Sequence, residues 1–251
     1  MPHRTGSEAT LVEKSALLIA PGLSVVLLAG CSGGGGASAP PVFPGEAAMN
    51  AYLQSAHHSS LYATDSAGKT YTLQVDRVPR PTQTMFNRTS AYAADDTFTL
   101  TKGAAPPTVT QSLSLFLLNP YVPVGSVYGA PCHSYYCSFP LRGVVTSSFP
   151  LPQTLNVGDT VVVANFTYTS YQNPRVPTLD GYETDGYSVI PETSWTRLLC
   201  LDAATSGVTA QGTADGIGEV PQTDCYAVDT SGTATLISVT KSVAGVTLTF
   251  R

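Results

Sequence analysis

The 251-residue chain is poor in charge, in histidine and in tryptophan, and each shortage closes a class of function. Charged residues make up 12%, with twelve Lys and Arg against seventeen Asp and Glu, and the basic ones are scattered singly. A phosphate groove needs clustered cations, so nucleic acid is not an expected partner. Of the four histidines only His57, His58 and His133 follow residue 31, which leaves few bases to activate a nucleophile. There is no Gly-x-Ser-x-Gly elbow, no His-Glu-x-x-His, and no phosphate-binding glycine loop leading into a helix. An apolar share of 43% over this length nevertheless suffices for a buried core, which argues against disorder.

An uncharged and largely apolar run, Ser15 to Gly30, follows Arg4 and Lys14. It falls short of the roughly 20 apolar residues of a spanning helix, and Pro21 and Gly22 interrupt it, so it reads as a signal peptide over residues 1–30. Leu28, Ala29, Gly30 and Cys31 then resemble the lipobox of bacterial lipoproteins. That resemblance implies diacylglycerol on the Cys31 thiol, cleavage before Cys31, and a membrane partner through the lipid. Two or more acyl chains anchor a protein stably where one does so only marginally. Residues 31–45 are rich in Gly, Ala and Pro and supply a tether. Ser32 stands where the family carries Asp for inner-membrane retention, so the expected address is the outer membrane, facing the periplasm or the surface. Segments around Leu117 to Ser126, Cys200 and Cys225 also resemble uncharacterised proteobacterial lipoproteins, which adds no activity.

With Cys31 assigned to lipid, Cys132, Cys137, Cys200 and Cys225 remain, an even count that suits disulfides in an exported chain. Three pairings are open. The favoured one joins Cys132 to Cys137 in a small loop and Cys200 to Cys225 across two strand-like segments. Zinc knuckles would need two close thiolate pairs or ligand His, whereas only Cys132 and Cys137 are close, and no metal or other cofactor is expected.

The body of the chain alternates. Tyr71, Leu73 and Val75 interleave with Thr72, Gln74 and Asp76, and Phe98 and Leu100 with Thr97, Thr99 and Thr101. Segments Val161 to Tyr171, Thr193 to Leu201, Cys225 to Val228, Thr233 to Val239 and Val246 to Phe250 continue the pattern. Asp65 to Gly68, Gly103 to Pro107 and Ser231 with Gly232 supply turns between them. Phe116 to Leu118 reads as buried on both faces. Met49, Tyr52, Leu53 and Ala56 mark one amphipathic helix from about Glu46 to His58. The expected fold is therefore all-β, an antiparallel sandwich or barrel with one short N-terminal helix. The Pro-rich stretch between Pro120 and Pro152 is the only seam, giving β units over 46–143 and 144–251 that could equally share one sheet.

Candidate sites are sparse. Asp180, Glu183 and Asp185 crowd what reads as a loop, and Glu183, Asp185 and Glu192 fall at calcium-loop positions, although position one is Gly181. Tyr128, Tyr135 and Tyr136 lie in or beside expected loops and could contact a glycan or protein. Trp195, alternating with Arg197 and Leu199, reads as a core anchor. These features lead to the expectation of a lipid-anchored, non-enzymatic envelope component that is structural or binding. Two alternatives carry their own requirements. A lipid or lipoprotein carrier needs an apolar cavity beneath Met49 and Leu53, and a carboxylate hydrolase needs Asp180, Glu183 or Asp185 to converge with another acid.

Overall fold

The computed structural model describes residues 40–128, 141–173, 176–214, 217 and 222–251. The lipobox (Leu28, Ala29, Gly30 and Cys31), the Cys132 and Cys137 pair, Tyr135 and Tyr136 lie outside the described residues. In chain order come helix α1 (Gly45–Leu53) and strands β1 (His57–Thr64), β2 (Thr70–Pro79), β3 (Thr84–Phe86), β4 (Thr89–Lys102), β5 (Thr108–Leu117) and β6 (Val122–Tyr128). There follow β7 (Leu141–Ser148), β8 (Thr160–Asn173), β9 (Val176–Pro191), β10 (Thr196–Ser206), helix α2 (Ala210–Ala214), β11 (Gln222–Asp229), β12 (Ala234–Val243) and β13 (Val246–Phe250).

Every strand pairs antiparallel with its sequence neighbour except β3, which hangs on β4 alone and leaves β2 to pair with β4. The result is a single meandering sheet curled into a nearly closed barrel. At the seam Tyr62 N–H donates to the Arg251 carbonyl at 2.8 Å and Arg251 N–H returns to the Tyr62 carbonyl at 2.9 Å, the reciprocal exchange of an antiparallel pair. The seam expected at residues 143 and 144 falls inside β7, which pairs with β6 and β8 on its two sides, so the sheet crosses it without a break.

Alternation sets the wall. Tyr71, Leu73 and Val75 of β2 turn inward while Thr72, Gln74 and Asp76 face out, and register places Leu100 opposite Leu73 and Phe98 opposite Val75. The inward rows of β1, β2 and β9 to β13 meet α1 in the main core, where Leu73, Leu199, Val228, Val239 and Phe250 are fully buried. Helix α1 contributes Ala48, Met49, Tyr52 and Leu53 to it. The helix is shorter than its apolar spacing predicts, and His57 and His58 belong to β1. The polar Gln54 and Ser55 fold back on the last turn through Asn50 and Ala51, and His57 stacks on Tyr52 at 3.9 Å and donates to its carbonyl. These contacts turn the chain into the first strand.

A smaller cluster forms outside the wall, where the β3–β4 hairpin lays Phe86 over Ala91, Ala93, Leu115 and Val127. Gly125 permits it, since a Cβ there would sit 2.2 Å from the Phe86 ring. Arg142 stacks on the same ring at 4.8 Å.

Two expected core positions are displaced. Trp195 is 70% exposed, because Thr193 Oγ1 accepts the Trp195 and Thr196 N–H groups in a turn that precedes β10 and swings the indole into solvent. Leu117 is 36% exposed beside a buried Phe116, so the end of β5 is covered on one face only. The expected Cys200–Cys225 bridge is present, joining directly opposed residues of β10 and β11 with Cα atoms 4.0 Å apart.

Candidate functional site

Along several inward rows the side chains change from apolar to charged within two residues. On β2 the sequence Tyr71, Leu73, Val75 is followed by Arg77, and on β4 Leu100 and Phe98 are followed by Asp96. On β11 Val228 and Tyr226 give way to Asp224, and on β9 Val189 and Tyr187 give way to Asp185 and Glu183. The polar parts of these rows share one space inside the barrel.

Arg77 and Asp96 face each other across the β2–β4 ladder and form a bidentate pair, with Nε to Oδ1 at 2.6 Å and Nη2 to Oδ2 at 2.9 Å. Asp96 is 4% exposed, and Ser114 from β5 donates a further hydrogen bond to its Oδ2. Burial pulls the Arg77 pKa down, but the adjacent carboxylate more than reverses this, so the guanidinium stays protonated.

Beside this pair lies a cavity of about 180 Å³. Met49 and Leu53 of α1, Tyr121, Leu201 and Tyr226 contribute to its apolar and aromatic lining, and Arg77, Glu183, Asp185, Asp202 and Asp224 form its charged one. An apolar cavity of about 150 Å³ holds a benzene, which sets the scale of molecule that fits.

Glu183 and Asp185 stand two apart on β9, so strand periodicity aims both to the same side. Burial raises the pKa of both, and for Asp185 the charge of Glu183 raises it further. Asp185 Oδ1 is sealed from solvent and has no hydrogen-bond donor. On β11, Asp224 accepts from Gln222 Nε2 at 3.0 Å, and burial pushes its pKa up to about 6. Lys241, on β12, is shifted downward by burial and partly restored by Asp224.

Tyr168 of β8 links the acids to the wall. Its hydroxyl donates to Glu183 Oε1 at 3.0 Å and lies 3.1 Å from Ser126 Oγ. A glycine opposite makes room: a Cβ on Gly143 would come within 2.5 Å of the Tyr168 ring. Tyr128 packs on Tyr168 with ring centres 5.8 Å apart, and burial raises the pKa of both phenols. Tyr121 is likewise pushed up to about 12 by burial.

The sequence-derived candidates are redistributed by these facts. Glu183 and Asp185 occupy the middle of an extended 16-residue strand, where a loop was expected. Glu192 follows the end of that strand, about 20 Å from Asp185 at extended rise, and is exposed. The three therefore do not wrap around a common point, and no group of three or more metal-ligating residues occurs among the described residues. Asp180 is fully buried but lies against α2, with its Oδ1 3.4 Å from Thr209 Oγ1, and does not line the cavity. Tyr128 points into the barrel instead of standing in a surface loop.

Arg77, Asp96, Tyr168, Asp224 and Lys241 were not singled out by sequence reasoning. Two of them were accessible to it, because Arg77 and Asp96 fall at inward parity on rows otherwise filled by Leu, Val and Phe. No family model, curated protein or solved structure matches the chain.

Proposed function

We propose that the protein is a lipid-anchored component of the bacterial cell envelope, held at the outer membrane through Cys31, whose barrel binds a small molecule in its interior. The observation that carries the binding part is the cavity: about 180 Å³, beside α1, with charged and aromatic groups converging from β2, β9, β10, β11 and the turn between β5 and β6. Anchoring by lipid and not by the barrel wall is supported by the outward rows of β1, β2 and β4. They present His58, Ser60, Thr72, Gln74, Asp76, Asp95 and Thr97, the reverse of a lipid-facing barrel surface. Among the described residues no helix is long and apolar enough to cross a membrane.

A carrier for acyl chains fits less well. Met49 and Leu53 do line the cavity, but an alkyl chain there would strip water from Glu183, Asp185 and Asp224 without replacing it. Hydrolysis by paired acids is also disfavoured for Glu183 and Asp185, because two side chains on the same face of one strand do not flank a bond from opposite sides.

The test has two arms. Palmitate labelling in a bacterial host should depend on Cys31 and vanish in Cys31→Ala. A thermal-shift screen of small polar metabolites against the full-length protein should yield stabilising compounds whose effect is lost in Ala203→Phe, which fills the cavity from β10. An unlabelled wild type, or a screen without a single stabilising compound, would overturn the corresponding half.

A further inference from the structure

We propose that the cavity takes a small organic cation, a primary amine of about benzene's bulk, with its ammonium against Glu183 and Asp185 and its hydrocarbon part toward Met49 and Leu53. This deepens the binding reading above and rests on it.

The case begins with charge inside the barrel. Arg77 is committed to Asp96 through two short hydrogen bonds. Lys241 acts on Asp224. Among the described residues no ion pair reaches Glu183 or Asp185, so two adjacent carboxyls border the cavity without a cation of their own. A donor is missing as well as a charge: Asp185 Oδ1 has no partner, whereas Glu183 Oε1 is already served by Tyr168. An ammonium carries three donors and one positive charge, so it could serve Asp185 Oδ1 and place its charge beside both carboxyls.

Shape and lining agree with this. The cavity exceeds the roughly 150 Å³ that holds benzene, so an aryl or short alkyl amine fits and a peptide does not. Tyr121 and Tyr226 border the same space, and aromatic rings favour cations over anions. Burial raises the pKa of both acids, and an ammonium held against them lowers it again, so any proton they carry passes to solvent as the amine binds. The other ionisable groups of the cavity and of the walls packed against the pair are Arg77, Asp96, Asp202, Asp224, Lys241, Tyr121, Tyr128, Tyr168 and Tyr226. Arg77 and Asp96 neutralise each other and burial keeps the phenols neutral, while Asp224, pushed up to about 6, adds negative charge as the pH rises.

Benzylamine, benzyl alcohol and benzoate share one ring and differ in the charge and donors of the substituent. Calorimetric titration of the full-length protein at pH 7.5 should show benzylamine binding at least tenfold more tightly than either of the others, and more tightly at pH 8 than at pH 5. Asp185→Asn and Glu183→Gln relieve repulsion between buried acids, so each should fold with a wild-type circular dichroism spectrum and lose the preference for the amine. Equal or tighter binding of the alcohol or benzoate overturns this inference and leaves the binding reading standing. Failure of all three probes overturns it too, and the binding reading falls with it only if the metabolite screen is also empty.

Discussion

The apolar and the charged sectors of the barrel interior are made by the same strands, yet their energetics run in opposite directions. Around α1, Leu73, Val228, Val239 and Phe250 exclude water and gain roughly 1.5–3 kcal/mol each from burial. Two residues further along the same rows, Glu183, Asp185 and Asp224 give up hydration, and their raised pKa values record the cost. A fold that needed only stability would continue the leucines. The contrast separates where the barrel gets its stability from where it can hold something, and it assigns α1 a place in both, since Met49 and Leu53 belong to the core and to the cavity lining.

That division can be broken or sharpened by substitution. The largest effect is expected at Asp96→Ala, which strands Arg77 without its carboxylate and should cost about 3–5 kcal/mol by urea denaturation. Replacing both partners by apolar residues should recover most of this, and a double variant as unstable as the single one would contradict the pairing. Leu73→Ala, in the apolar sector, should cost about 3 kcal/mol while leaving the response of stability to pH unchanged. Removing the Cys200–Cys225 bridge by a double Ala substitution, across a separation of 25 residues, should cost about 2–3 kcal/mol, read as a lowered denaturation midpoint.

The smallest effect concerns Asp224, and its sign is opposite to that of a salt-bridged acid. Its folded pKa of about 6 lies above its ordinary carboxylate value, so between about pH 4 and 6 the native state holds more protons than the unfolded one. Stability contributed by this group is thus full at low pH and is lost as the pH rises through about 6. Asp224→Asn should flatten that slope, by on the order of 1–2 kcal/mol between pH 4 and 7, and a slope identical to wild type would remove Asp224 from the charged sector.

Much of the wall was legible because its alternation is ordinary. The rows of β2 and β4 show apolar and hydroxyl residues in strict turn, and Val246–Phe250 is recovered to the residue. Where the inward row itself becomes polar, the period-two signal disappears. The stretch Tyr182, Glu183, Thr184, Asp185, Gly186 is polar on both faces and therefore looks like a loop, although pairing with β8 and β10 holds it as a strand. The same inversion hid the cavity, since its acids looked solvated. Trp195 shows the converse, a large ring whose burial was expected from parity and is cancelled by a turn one residue before the strand begins. The pairing of Cys200 with Cys225 was accessible because both sit in apolar segments and the count was even.

The clasp between Tyr62 and Arg251 has a consequence for how the chain reaches this state. A meander zips strand by strand, but its first and last ribbons meet only after everything between them is in place, a contact between residues far apart in the sequence. Until then the growing sheet presents two raw borders of unsatisfied amides to any neighbour. Assembly is therefore most vulnerable just before completion, and slowing only the arrival of the final strand should increase clumping of the unfinished chains.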